Sequence, residues 1–166
     1  VVWSRELPSD PTSVQVYRDS LGHWYASFVV RREVEALPEA DGKIGIDWGI
    51  KTTATTTSPE HDLTYVGARQ AAAADLARAQ RKMARRRKPK GQPQTKGYQR
   101  AKTEAAKVAK KSQRRNTHTG RVWARKVVAD HQLIAVEDFR PKFLAKSTMA
   151  RKAADAAIST IKRTLI

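Results

Sequence analysis

Lys43-Ile44-Gly45-Ile46-Asp47-Trp48-Gly49 is a short apolar stretch that ends in a carboxylate and a glycine, and it has a counterpart 90 residues later in Leu133-Ile134-Ala135-Val136-Glu137-Asp138-Phe139. Each reads as a buried strand delivering an acid at its end. An ionised group held against a low-dielectric core loses solvation, so a cation or strong hydrogen bonds must replace the lost water. Two such strands point to one shared cation. Oxygen donors suit Mg²⁺, or Mn²⁺ in its place, bound through one or two carboxylates while phosphates and water complete the shell. The expected partner is therefore a polyanion.

The charge distribution points the same way by a separate route. The chain carries 33 Lys and Arg against 16 Asp and Glu, a net +17. Residues 78–126 hold 19 of those cations with Glu104 as their only acid, a local +18, so the remainder sums to −1. Segregation of this kind is the footprint of a phosphate-backbone ligand. The block lacks the Trp, Phe and Leu face with which an interfacial helix enters a lipid surface, so a membrane is not the expected partner. Arg81, Lys82, Arg85, Arg86, Arg87, Lys110, Arg114 and Arg115 are the candidate backbone contacts, with Lys51 beside the first acid as a further one. Contacts of this type position a nucleic acid without reading its sequence.

At 166 residues and 40% hydrophobic content the chain supports one core, or one core with a small appendage. No apolar run approaches the roughly 18 residues of a transmembrane helix, and the start lacks the order of a secretory leader. The cytoplasm is the expected compartment. With no cysteine there is no disulfide, thiol nucleophile or Cys-type zinc site in these residues. The chain has no initiator Met and stops within a helical pattern, so it reads as an excerpt of a longer protein. His23, His61, His118 and His131 share no metal-ligand spacing and read as structural or exposed.

Residues 13–18 and 23–30 are β-rich and flank the turn Asp19-Ser20-Leu21-Gly22, a hairpin pattern. An exposed linker over 35–42 places a domain boundary near 40. Strands are expected at 43–48, along the threonine run 51–57, and at 62–66. A helix is expected over 68–87, with Ala72, Leu76, Ala79 and Met83 on one stripe, and a second over about 98–130, with Gly120 as a candidate point of interruption. The two form a basic antiparallel hairpin. Strand 133–138 follows, then a last amphipathic helix from near Ser147 with Met149, Ala153, Ala156 or Ala157, and Ile161 on its apolar face.

Three strands, a helical insertion and a fourth, acid-bearing strand are the order of an RNase H-like sheet, an α/β fold in which the first and fourth strands are neighbours. The motifs Ile44-Gly45-Ile46-Asp47-Trp48-Gly49-Ile50-Lys51, Ala77-Arg78-Ala79-Gln80-Arg81-Lys82 and Ile134-Ala135-Val136-Glu137-Asp138-Phe139 resemble the split RuvC nuclease domain of transposon TnpB proteins and compact type V CRISPR effectors. The tail from Phe143 to Asp155 looks closest to small effectors of the mycobacterial kind. The resemblance implies that Asp47 and Glu137 are catalytic metal ligands for Mg²⁺, in a mixed sheet with a basic helical hairpin insertion at 68–130. It also implies that residues 1–40 end a β-rich, wedge-like nucleic-acid-binding domain and that 41–166 form a RuvC-like domain. That domain would be C-terminally incomplete, with the third acid and a zinc ribbon beyond residue 166. The implied function is RNA-guided DNA cleavage in a bacterial cytoplasm, with guide RNA and target DNA as partners. The alternatives are a guided binder that silences without cutting, and a non-catalytic basic nucleic-acid-binding protein. Neither the guide, the flanking motif, the transposon or CRISPR context nor the oligomeric state is legible. Asp138 faces away from Glu137 and reads as a cap or turn residue, Trp48 as core, and the threonine run as β-propensity.

Overall fold

The computed structural model describes residues 3, 6–33, 38–138, 149–150 and 156–165. The chain divides into two compact units, Val1–Leu37 and Pro38–Ile166.

In the first unit β1 (Pro11–Arg18) pairs antiparallel with β2 (Trp24–Val30), with Val14 opposite Phe28, Val16 opposite Ala26 and Tyr17 opposite Tyr25. The turn closes on Asp19, whose Oδ1 accepts from the backbone N–H of Leu21 at 2.8 Å and of His23 at 2.9 Å. Gly22, at φ +89°, supplies the left-handed position that this turn needs. Stacking of Tyr17 on Tyr25, with centroids 5.4 Å apart, adds a cross-strand pair. Val16 and Trp24 nevertheless stay about two-thirds exposed, at 67% and 68%.

The second unit is built on a four-stranded mixed sheet of β3 (Gly42–Trp48), β4 (Thr52–Thr56), β5 (Leu63–Thr64) and β6 (His131–Val136), in the spatial order β5-β4-β3-β6. β3 runs antiparallel to β4 and parallel to β6, so the first and fourth strands are neighbours, as expected of an RNase H-like sheet. A parallel neighbour needs a long crossover. The helical insertion supplies it through α1 (Ala68–Ala71), α2 (Ala73–Ala84) and the 35-residue α3 (Lys96–Asp130). After Ala157, at φ +55°, comes α4 (Ile158–Leu165).

One face of the sheet carries the core. Ile44, Ile46 and Trp48 alternate inward from β3 and meet Trp123, Ala124 and Val127 of α3 together with Ala156, Ile158 and Ile161. Trp48 packs edge-on against Trp123, centroids 5.9 Å apart at 68°. The Trp123 indole N–H also donates to the carbonyl of His61 at 2.6 Å, which ties α3 to the short 3₁₀ turn Pro59–His61. His61 and His131 are both buried: Nε2 of His61 lies 2.8 Å from Asp130 Oδ2, Nδ1 of His131 lies 2.9 Å from the Val127 carbonyl, and the rings meet edge to face at 4.7 Å. The structural reading of these two histidines stands.

Several expectations need correction. The helix expected over 68–87 bends at Ala72 (φ −96°, ψ 3°) and ends at Ala84, before the arginine triplet. α3 runs through Gly120 without a break. A Cβ on Gly120 would lie 2.8 Å from Ile161 Cγ1, so this glycine is the notch into which α4 packs. Gly42 has a similar role, since a Cβ there would lie 2.4 Å from the Asp130 carbonyl oxygen, where α3 turns directly into β6. The last strand begins at His131 and ends at Val136. Most of the helix expected from Ser147 lies outside the described residues. The left-handed Ala157 starts α4 afresh instead of continuing a single helix.

Candidate active site

Parallel pairing aligns Ile44 with Ile134 and Ile46 with Val136. The ladder continues one step further, because the Glu137 N–H donates to the Ile46 carbonyl at 3.1 Å. Asp47 and Glu137 therefore follow in register on adjacent strands, whose backbones lie about 4.8 Å apart. Side chains alternate across a sheet, so both acids leave the face opposite to Ile46 and Val136. Together they line an open concavity of ≈ 550 Å³ with Gly45, Thr55, Thr56, Thr57 and Ala135 among its walls.

The acids are exposed, which corrects the expectation of carboxylates held against a core. The apolar run in β6 reads like a strand covered on both sides. In the fold only Ile134 and Val136 of that run pack on the core, while Leu133 is 56% exposed. What distinguishes the pair is its neighbourhood. The concavity has no Lys or Arg in its wall, so two negative groups stand side by side without a cation from the described chain. Asp138 points to the other side of the strand, where its Oδ1 pairs with Lys162 Nζ at 3.2 Å, and the same ammonium donates to the Glu137 carbonyl at 3.3 Å. This pairing with α4 is a role that a cap-or-turn reading misses. Lys51 lies in the exposed turn between β3 and β4, outside the wall of the concavity.

Thr55 is a residue that the strand propensity of the threonine run concealed. It pairs with Asp47 across β3 and β4, so Thr55, Asp47 and Glu137 form one row across the open face. Gly45 lies one pleat back, bonded to Thr57 in both directions: its N–H reaches Thr57 Oγ1 at 3.0 Å and its carbonyl accepts from the Thr57 N–H at 3.1 Å. Among the described residues no group of three His, Cys, Asp or Glu side chains is arranged to hold a metal ion.

The basic candidates lie on the helical insertion. Arg81 and Lys82 occupy the last turn of α2, with Arg85, Arg86 and Arg87 just beyond it. Lys82 binds Glu104 of α3 at 2.9 Å, which holds that carboxyl below its ordinary pKa through the hydrogen bond and the ammonium charge. Lys82 is thus engaged within the protein, and the expected antiparallel helical hairpin is in place. Arg86 Nη1 donates to the Gly97 carbonyl at 3.3 Å. Lys110, Arg114 and Arg115 lie along the middle of α3.

A mixed sheet in this order, with the first and fourth strands paired in parallel through a helical crossover, defines an RNase H-like fold. The chain belongs to the OrfB_IS605 family, described as "Probable transposase", whose model matches residues 27–148. It is also 31% identical over 98% of its length to a protein of Streptomyces pristinaespiralis named "Putative RNA-guided DNA endonuclease". The chain spans 40% of that relative's length.

Proposed function

We propose that this chain forms part of the catalytic half of an RNA-guided DNA endonuclease, with Asp47 and Glu137 as ligands of Mg²⁺ or Mn²⁺. The observation that carries this reading is the register of the two acids on one open face, in a chain whose relative bears the endonuclease name. The donor set fits a hard divalent ion: two carboxylates, hydroxyl-bearing neighbours and no competing cation in the wall. A metal bound there would supply Lewis-acid stabilisation to an oxygen on phosphorus. The chain's own contribution is to fix the two carboxylates on a paired sheet, and open exposure leaves room for a phosphodiester and its water. The third acid and the zinc ribbon are proposed to follow residue 166 in the parent protein.

Residues 1–40 are proposed to be the end of a β-rich nucleic-acid-binding domain. The exposed Val16 and Trp24 of the hairpin support this, since a lone two-stranded hairpin is marginal in water. Guide RNA and target DNA are the proposed partners, and the bacterial cytoplasm the proposed compartment. No described helix is long and apolar enough to cross a membrane.

The test is cleavage by the full-length parent with matched guide and target in excess Mg²⁺. Asp47→Ala and Glu137→Gln should each reduce cutting by at least about 100-fold, a few kcal/mol of transition-state stabilisation, with guided binding nearly intact. Wild-type rates from either variant would remove the metal-site assignment. A wild-type parent that binds its guided target and never cuts would show a silencing effector instead.

A further inference from the structure

Of the two acids, Glu137 is the one that lies past the end of its strand. β6 stops at Val136, whereas Asp47 lies within β3 and pairs with Thr55 on β4. A strand end opens at little cost, yet a ligand group has to keep its place to within about 0.5 Å. Something must hold Glu137 in line.

Its backbone is held on both sides. The Glu137 N–H donates to the Ile46 carbonyl at 3.1 Å, and the Glu137 carbonyl accepts from Lys162 Nζ of α4 at 3.3 Å. The same ammonium lies 3.2 Å from Asp138 Oδ1. An ion pair with a carboxylate that is 70% exposed contributes little. The carbonyl contact is of another kind, because it ties the backbone of a proposed metal ligand to a helix far away in the sequence.

That helix is firmly seated. Ile158 and Ile161 are 1% and 0% exposed, in the core shared with Ile44, Ile46 and Trp48. Gly120 leaves the notch for Ile161, and the Thr164 hydroxyl lies 3.4 Å from the Gly120 carbonyl oxygen. Lys162 follows Ile161 directly, so its stem starts beside the most deeply buried residue of α4.

The side from which Lys162 arrives matters equally. α4 packs on the core face of the sheet, while the two carboxylates leave the opposite face. Lys162 thus reaches the Glu137 backbone from behind and takes no part in the wall of the concavity. An ammonium bound to the carboxylate itself would compete with a metal for the same oxygens. One bound to the carbonyl leaves them free.

We propose that Lys162 is a positioning residue: from α4 it pins the end of β6, so that Glu137 keeps its carboxylate beside Asp47 on the open face. The value of this to a bound metal rests on the endonuclease reading, whereas the pinning itself does not.

The first arm of the test is hydrogen exchange resolved to single amides, in the full-length parent and its variants. Lys162→Met keeps the length and helix propensity of the side chain and removes its donors. The Glu137 amide should then exchange about tenfold faster or more, while that of Ala135, paired with Gly45 inside the ladder, stays within twofold. Lys162→Arg should restore protection. Asp138→Asn, which keeps the carbonyl contact, should leave the Glu137 amide within twofold of wild type. The second arm reads metal: an end displaced in about two-thirds of molecules lowers apparent affinity about threefold. Mn²⁺ binding, followed by the paramagnetic resonance signal of the free ion, should weaken by at least that factor in Lys162→Met. The Mg²⁺ concentration for half-maximal cutting should rise equally, with the rate at saturating Mg²⁺ within twofold of wild type. An unchanged Glu137 amide, equal acceleration at Ala135, or a loosened Glu137 with unaltered Mn²⁺ affinity would overturn the proposal. A wild-type parent that binds no Mn²⁺ would instead remove the metal-site reading, and the exchange comparison alone would then decide the pinning.

Discussion

Glu137 donates its backbone N–H to the carbonyl of Ile46 at 3.1 Å, and this one bond beyond β6 sets Glu137 beside Asp47. The hydrogen bond extends the parallel ladder past the last strand residue. A slip of one residue would send the carboxylate to the helix-covered face, because side-chain direction alternates. Asp138, the next residue, shows the result of that slip: it faces Lys162 on α4.

This contrast separates the two neighbouring acids by experiment. Asp138→Asn in the full-length parent should leave Mg²⁺-dependent cutting within about threefold of wild type, because an exposed ion pair is worth roughly 0–1 kcal/mol. Cleavage rates of Asp138→Asn and Glu137→Gln, measured side by side, check the assignment. Equal collapse in both would show that the face assignment fails to separate catalytic from structural acids.

The arginine triplet just past α2 should act on nucleic acid through charge alone. Replacing Arg85, Arg86 and Arg87 together with Gln should reduce the salt slope of duplex or guide-RNA binding by up to about 2.7, at ~0.9 per phosphate contact. Thermal stability should change little, since all three are exposed. A slope and affinity identical to wild type would mark the triplet as solvated surface.

Gly120 and Ile161 should be energetically coupled. Gly→Ala in a helix interior ordinarily gains up to about 1 kcal/mol, yet here the new methyl would meet Ile161 at 2.8 Å. Gly120→Ala is expected to destabilise by about 1–2 kcal/mol through overpacking, and Ile161→Ala by about 2–5 kcal/mol through cavity formation. In the Ile161→Ala background, Gly120→Ala should become neutral or stabilising. Denaturant unfolding of the four proteins gives the coupling, and simple additivity would contradict the packing described here.

The His61–Asp130 contact should make the acid limb of stability steeper. The hydrogen bond from His61 holds the Asp130 carboxyl below its ordinary pKa. For a lowered carboxyl the stabilising contribution is present above its unfolded value, near pH 4, and is lost as pH falls through the lowered folded value. Between about pH 5 and pH 2 the melting temperature of wild type should therefore fall more steeply than that of Asp130→Asn, and the two curves should converge at the acid end. Parallel curves over that range would show that the contact contributes no proton-linked stability.

The local pattern of the chain was enough to read the strand carrying Asp47, the strand carrying Glu137, the crossover between them and the cationic helical hairpin. Each is a property of neighbouring residues: an apolar run, a 3.6-residue period, a cluster of like charge. The neighbour relation of β3 and β6 also followed, because an RNase H-like order of elements leaves few ways to close a parallel pair. What the local pattern could not disclose is which face of a strand another element covers. Leu133 and Ala135 look as core-bound as Ile134 and Val136, and only the docking of α3 and α4 on one side separates them. The same reason hides the roles of Gly42 and Gly120: as isolated glycines they suggest a turn or a broken helix, whereas each is required by a backbone or side chain distant in sequence. Thr55 was legible as a strand residue and illegible as the neighbour of Asp47, since cross-strand register depends on the turn and on the partner strand. Local periodicity is written in the order of residues, but burial and register arise from non-local packing, and it is packing that turns two separated carboxylates into one row.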